Sequence, residues 1–447
     1  MSRRRLPVEP FEVRIEALHA SGAGRAEHDG RPLAVWGALP GERVLARPLL
    51  GRRLRGQAET VEVREAAPAR ATPRCPSFGT CSACALQHLE PAAQLDYKQD
   101  RLLGLLAAEG GVAPQRTLEP LSADRWHYRR KARLSVRHVA KKGRVLVGFR
   151  ERDGRFVTDM AECHTLDRRI AAALPGLAAL VGAMDARARI PQIEVSCGDD
   201  EAALVFRHLD ALSEADRTRL ADFEARAALR VYLQPRGPDT VAPLTAGASR
   251  LAYALPDDDL RFAFEPLDFV QVNQGLNRRM VARALELLAP GPGERVLDLF
   301  CGLGNFTLPL ARRCAEVVGL EGSESLVARA AANAAANHID NARFHAVDLY
   351  GERIDAAWPV GPVDAVLLDP PRSGAEPVLA RIAAAGARRV LYVSCNPDTL
   401  ARDAGALVRT HGYVLECAGA MDMFPQTTHI EAMALFTLPA DGGDDGA

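Results

Sequence analysis

The sequence predicts an α/β protein: an N-terminal OB-like β-barrel, a central α+β segment and a C-terminal Rossmann-like sheet. Three observations carry this. From about residue 277, helical stretches alternate with apolar strands, the βαβαβ order of a parallel, doubly wound sheet. Those strands, at 295–300, 316–321, 364–369 and 389–394, are apolar almost throughout, as a sheet covered on both faces requires. Residues 11–65 instead hold several short strand-like runs separated by Gly22, Gly24, Gly30 and Gly41, the pattern of a small barrel.

Element by element, the barrel strands are expected at 11–18, 33–36, 42–49 and 56–63, and residues 66–74 read as a linker. Residues 91–110 read as an amphipathic helix with Leu95, Leu102, Leu103 and Leu106 on one side. Central strands are expected at 131–137, 145–150, 192–196 and 201–207. Helices at 277–289, 305–314 and 323–338 then separate the C-terminal strands, with one more strand at 342–348. The Gly- and Asp-rich tail, 440–447, is expected to be disordered. The expected domains are 1–68, 75–262 and 263–440.

With 447 residues, 48% hydrophobic and 25% charged, the chain has material for two or three domains. It holds no apolar run near the roughly 18–20 residues of a membrane span, and the basic start, Met1-Ser2-Arg3-Arg4-Arg5, has no apolar segment behind it. A cytoplasmic protein without a membrane partner is expected. Net charge is only −1, yet residues 1–175 carry 31 Lys and Arg against 20 Asp and Glu. A basic front half points to a polyanion. Within it, Arg129, Arg130, Lys131, Arg133 and Arg137 follow Trp126, His127 and Tyr128, charge beside aromatic faces that suits a single-stranded RNA loop. Nine cysteines, an odd number, argue against a disulfide framework.

Chemistry concentrates in the last third. The strand at 295–300 runs into Cys301-Gly302-Leu303-Gly304-Asn305, where glycines let the backbone approach a nucleoside. The spacing is not Gly-x-Gly-x-x-Gly, which disfavours a dinucleotide. Glu321 closes the next strand, where it can accept from both ribose hydroxyls, and Asp348 closes the third, placed to accept from an adenine amino group. This is the layout of S-adenosylmethionine methyltransferases. Cys395, in Ser394-Cys395-Asn396-Pro397, follows the 389–394 strand at the same edge. A nucleophilic role calls for a lowered thiol pKa there. Thiolate addition to uracil C6 makes C5 nucleophilic, and the C5 proton must then be taken by a base. Glu431, in His429-Ile430-Glu431, is the candidate base, and Asp369, in Asp369-Pro370-Pro371-Arg372, can bond the N3–H and O4 edge or position the cofactor.

These strings, with Phe269-Val270-Gln271-Val272-Asn273, resemble the RNA uracil-C5 methyltransferase family over residues 262–437. The resemblance implies that Cys395 is the nucleophile and Glu431 the base. It places Gln271, Phe300, Asn305, Glu321, Asp348 and Asp369 against S-adenosylmethionine. The segment holding Ser21-Gly22-Ala23-Gly24-Arg25 and Leu39-Pro40-Gly41-Glu42-Arg43-Val44 resembles the TRAM domain, an RNA-binding barrel.

Cys75, Cys81 and Cys84 lie in Cys-x5-Cys-x2-Cys, with Cys163 as the fourth thiol. Four thiolates suit zinc or an iron–sulfur cluster, and the lone distant cysteine leans towards iron–sulfur. The resemblance implies a [4Fe–4S] cluster, which marks the bacterial 23S rRNA branch of the family, and so a central iron–sulfur domain. Members acting on tRNA typically lack both barrel and cluster, and a second 23S type lacks the barrel. The expected partner is therefore 23S rRNA, with no DNA, and a monomer is expected. A 5-methylcytosine enzyme would show Pro-Cys-Ser, which is absent. An inactive RNA-binding relative would show degraded catalytic strings, and these are complete.

Overall fold

The computed structural model describes residues 9–49, 54–247, 249–351, 354, 358 and 360–439. The basic start at 1–5 and the tail expected to be disordered lie outside the described residues.

The N-terminal sheet closes on itself through one bent segment. Phe11–Arg14 pairs with Arg43–Pro48, while Ala17–Leu18, three residues on, pairs with Gly24–His28 at the other end of the sheet. Ile15, at the bend, is 1% exposed and packs with Val13, Val35 and Val44 in the barrel core. A strand at Gly24–His28 was not expected. Its glycine start reads as a turn, but a Cβ at Gly24 would meet Ile15 at 2.7 Å, so the glycine serves close packing rather than chain reversal. The barrel docks through Gly22, where a Cβ would sit 2.7 Å from Ala85 and 3.3 Å from Thr428.

The central sheet has six strands, among them Lys131–Val139, Arg144–Gly148, Gln192–Cys197, Ala202–Arg207 and Arg230–Gln234. Helix Arg168–Ala183 buries Ile170, Leu174, Leu177 and Val181 among the core residues of this sheet.

The C-terminal sheet has eight strands. Its order is Ala342–Ala346, Glu316–Glu321, Arg295–Leu299, Ala365–Leu368, Arg389–Ser394, Glu431–Thr437, Val414–Met421 and Arg116–Thr117. The first five are parallel; Glu431–Thr437 is antiparallel to both its neighbours. Alternation within each strand builds two cores. Val296, Val317, Leu367 and Leu391 face one side, and Leu297, Val318, Val366 and Val390 the other. Strand order reverses between 295–299 and 365–368, so the C-terminal ends there open onto a crevice.

The helix expected at 91–110 is α-helical over Pro91–Leu105 and continues as one π turn to Gly110. Its buried face differs from the leucine stripe. Gln94, Lys98, Gln99, Leu102 and Leu106 are buried, whereas Leu95 and Leu103 are only partly so. This helix and Arg116–Thr117 pack on the C-terminal sheet, although chain order places them with the central segment.

Candidate active site

The motif Ser394-Cys395-Asn396-Pro397 is a strand-to-helix turn in which each residue has a task. Ser394 ends its strand, and its hydroxyl accepts from the Asn396 N–H at 3.1 Å. Asn396 caps the next helix by accepting from the Asp398 N–H at 3.3 Å, and Pro397 takes the first helical position. Asn396 Nδ2 also donates to the Arg372 carbonyl at 2.9 Å, tying this turn to Asp369-Pro370-Pro371-Arg372. Cys395 is thereby held at the sheet edge. Ser394 pairs with Ala432 across the sheet, so Cys395 and Glu431 are the next residues facing one another.

One cavity of about 550 Å³ collects all eight residues singled out from sequence: Gln271, Phe300, Asn305, Glu321, Asp348, Asp369, Cys395 and Glu431. That volume suits a nucleoside-sized ligand. Glu321 is oriented by the backbone N–H groups of Gly302 at 3.1 Å and Ser323 at 2.9 Å. Asp348 accepts from the Tyr350 N–H at 3.0 Å; it sits two residues beyond the end of its strand at Ala346, in the following loop. Asn305 exchanges two amide hydrogen bonds with Asn277, both 3.0 Å, and accepts from the Tyr253 hydroxyl at 2.8 Å. Phe300 holds φ of +64°, the left-handed region that a non-glycine residue enters at a cost of about 1–2 kcal/mol. Its ring tilts against Tyr350 at 5.7 Å. A Cβ at Gly304 would press on Leu308 at 3.3 Å, and the residue holds φ of +96°, which explains the glycine of the turn.

The charge pattern is carboxylate-rich. Burial pushes Asp369 up to about 7. Burial, then Asp369, pushes Glu431 up to about 8, against Lys98 and Arg372. The Cys395 thiol departs from the expectation of a lowered pKa. Burial, with Glu431 and Asp369 beside it, raises it to about 11, against Arg372 and a backbone hydrogen bond, which pull it down. The reason is electrostatic: a thiolate here would be a third anion in a buried anionic site. Below the sheet edge, Asp298 is also raised to about 7, by burial. Its Oδ2 accepts from the Thr307 hydroxyl at 2.5 Å while Oδ1 lacks a partner among the described residues.

Three further contributors, Arg372, His429 and Phe269, lie within strings that the sequence singles out without giving them a role. Arg372 donates to His429 Nε2 at 2.5 Å. Burial, then the Arg372 charge, drops His429 to about 4, so the imidazole is neutral. Phe269, 69% exposed, stands on the cavity wall. A second opening, about 250 Å³, reaches Cys395 past Arg101, Arg372, His429 and the barrel residue Ala20. The nucleophile candidate thus lies between two cavities.

The basic stretch is less free than its sequence implied. Arg130 pairs with Asp199 and Arg133 with Glu194. Lys131 donates to the Pro266 carbonyl at 2.6 Å, and Arg129 lies over Tyr128, Phe149 and Phe424. These cations largely brace the fold. Arg137 stays exposed, and Arg74, Arg125 and Arg168 surround a separate groove with Trp126 and His127.

Cys75, Cys81, Cys84 and Cys163 line one small cavity of about 10 Å³. Burial raises Cys75 and Cys81, and carries Cys84 to about 12, with neighbouring thiols adding to each. Among the described residues, no group of three or more His, Cys, Asp or Glu side chains is arranged to hold a metal ion. The four thiols nonetheless share one pocket. Cys197, Cys301, Cys314 and Cys417 are buried elsewhere.

The sequence model of the family described as tRNA (Uracil-5-)-methyltransferase matches residues 90–358 and 361–438. The chain is 54% identical over 439 residues to the 23S rRNA (uracil(1939)-C(5))-methyltransferase RlmD of Alkalilimnicola ehrlichii, covering 98% of this chain and 99% of that one. It is 50% identical over 438 residues to the protein of the same name from Xanthomonas euvesicatoria pv. vesicatoria, covering 97% and 99%. The solved structure of Pyrococcus abyssi tRNA (uracil-54, C5)-methyltransferase in complex with S-adenosyl-L-homocysteine matches with a TM-score of 0.73 at 23% identity, over 96% of this chain and all of that one. That likeness shows the fold. The family match and the full-length relatives together settle kinship: this chain belongs to the tRNA (uracil-5-)-methyltransferase family.

Proposed function

We propose that the protein methylates C5 of a uridine in 23S rRNA, the base at position 1939 as in the names of its relatives, using S-adenosylmethionine. The observation that carries this is the single cavity lined by a thiol, two buried carboxyls and the nucleoside-binding acids. S-Adenosylmethionine, when bound, supplies an electrophilic methyl group on a sulfonium. Glu321 and Asp348 hold its ribose and adenine, with Gln271, Phe300 and Asn305 completing the cradle.

The remaining steps belong to this chain's own residues. Cys395 loses its proton to solvent and adds through Sγ to uracil C6, and the π pair of the C5=C6 double bond moves onto C5 and O4 as an enolate. Asp369 hydrogen-bonds the N3–H and O4 edge of the base and holds it in place for that step. C5 then gains the methyl group. Glu431, as carboxylate, takes the C5 proton; the C5–H pair re-forms the C5=C6 double bond as the C6–Sγ bond breaks, and Sγ leaves as thiolate. The target base has to leave its stack to reach Cys395, and the opening past Arg101, Arg372 and His429 supports that route.

We extend the proposal to the parts. The barrel, 1–68, binds RNA in the manner of a TRAM domain, the segment 75–262 carries a [4Fe–4S] cluster on Cys75, Cys81, Cys84 and Cys163, and 263–440 is the methyltransferase domain. What supports this reading is that the four thiols line one pocket, the all-cysteine donor set that such a cluster takes. Cys75, Cys81 and Cys84, each raised by burial, need the positive charge of such a core to ionise. The cluster would supply a structural brace there, since methyl transfer moves no electron. A monomer in the cytoplasm, needing neither DNA nor membrane, completes the reading. A 23S fragment with 5-fluorouridine at the target tests it, because fluorine cannot leave as a proton. A denaturation-stable RNA adduct mapping to Cys395 is expected; an adduct elsewhere, or none, would overturn the assignment.

A further inference from the structure

Lys98 is the buried charge that the reading above does not use. Its side chain is 0% exposed, on the buried face of helix Pro91–Leu105. Its ammonium lies 2.5 Å from Asp422 Oδ1 and 3.1 Å from the Phe424 carbonyl. The flanking residues grip the same segment. Gln94 exchanges hydrogen bonds with Gln426, through its Nε2 to Gln426 Oε1 and from the Gln426 N–H, both 3.1 Å. Gln99 Oε1 accepts from the Ala420 N–H at 2.8 Å. Helix Pro91–Leu105 thus fastens 420–426 by polar contacts at three positions on its buried face. That segment leads directly into Glu431, because Met421 pairs with Glu431 across the last two strands.

A buried ion pair is a poor device for stability, since apolar residues of similar volume usually serve as well or better. Its position offers a better reason. We infer that Lys98 is a positioning residue: it holds the 420–426 segment against the helix and supplies the counter-charge for Glu431. This rests on Glu431 being the base.

The surrounding charges agree. Glu431 faces Asp369, Cys395, Arg372 and Lys98; Lys98 faces Asp422, Glu431 and His429. Asp369 opposes ionisation of Glu431 while Lys98 and Arg372 favour it. Asp422 divides the Lys98 charge between itself and the base. Lys98 favours ionisation of Glu431, and the Asp422 carboxylate beside the ammonium is expected to offset part of that. Loss of one member or the other should therefore move Glu431 in opposite directions, which no purely structural role would produce.

The test is the pH dependence of kcat for the full-length protein on a 23S fragment, comparing wild type with K98M, D422N and E431Q. D422N keeps an acceptor for the ammonium and removes only the charge, so it reports even where K98M folds poorly. K98M is expected to move the rising limb to higher pH by about one unit, and D422N to move it to lower pH, with KM for RNA little changed. A limb lost in E431Q but unmoved in both other variants, or moved the same way in both, overturns the role of Lys98 alone. A limb that persists in E431Q removes Glu431 as the base and the inference with it.

Discussion

Cys395 and Glu431 face each other at the open end of two antiparallel strands, one residue beyond the Ser394–Ala432 pair, and both line the same cavity. They come from strings 36 positions apart in sequence, brought together by the strand Glu431–Thr437 running back beside Arg389–Ser394. The adjacency places a nucleophile for C6 and a base for C5 on one wall.

Cys395→Ala is expected to abolish methyl transfer and adduct formation while leaving S-adenosylhomocysteine affinity intact. Glu431→Gln should lower kcat about 10²–10⁴-fold and accumulate adduct on ordinary substrate, because addition proceeds and elimination does not. Single-turnover gels with labelled RNA check both. Equal adduct in wild type and E431Q would count against the base assignment.

The pH dependence has a definite sign. Glu431 acts as carboxylate and titrates near 8, so kcat should climb as pH rises through that value. The thiol, near 11, should give a further rise at higher pH. A profile falling between neutrality and about pH 9 would contradict both assignments.

Asp298 gives a stability prediction. Its folded pKa, about 7, exceeds the unfolded value of about 3.9. Its contribution is fully present below the unfolded value and is lost as pH rises through 7. Asp298→Asn keeps an acceptor for Thr307 and removes the charge. Its gain in Tm over wild type should be larger at alkaline pH than at acid pH; calorimetry at both settles it. An equal gain at both would show that Asp298 stays neutral throughout.

Protein prepared without oxygen should hold about four iron and four sulfide per chain with a broad visible absorption, and Cys163→Ser should lose the absorption and lower Tm. Zinc without sulfide would replace the cluster by a tetrahedral site.

The legible part was whatever chain order and local pattern encode. The C-terminal strands and the glycine turn follow from apolar runs and short strings, because a parallel sheet puts its loops at one edge; of the eight cavity residues, Gln271, Phe300 and Asn305 are singled out only through the family resemblance. Lys98 was not legible: within Leu95, Leu102 and Leu103 it reads as a solvated lysine, and only its partner Asp422, 324 positions away, makes it a core residue. The basic run at 129–133 misled for the same reason, since its carboxylates, Glu194 and Asp199, arrive from a distant strand and the loop after it. The thiol pKa also depended on tertiary burial that no string records.

The most direct measurement is tritiated methyl transfer from S-adenosylmethionine to unmodified 23S and tRNA transcripts, with nucleoside analysis of the product. The account predicts label in 23S RNA alone, recovered as 5-methyluridine. Label in tRNA alone would keep the chemistry and contradict the substrate; no label in either would leave an RNA-binding protein without this activity.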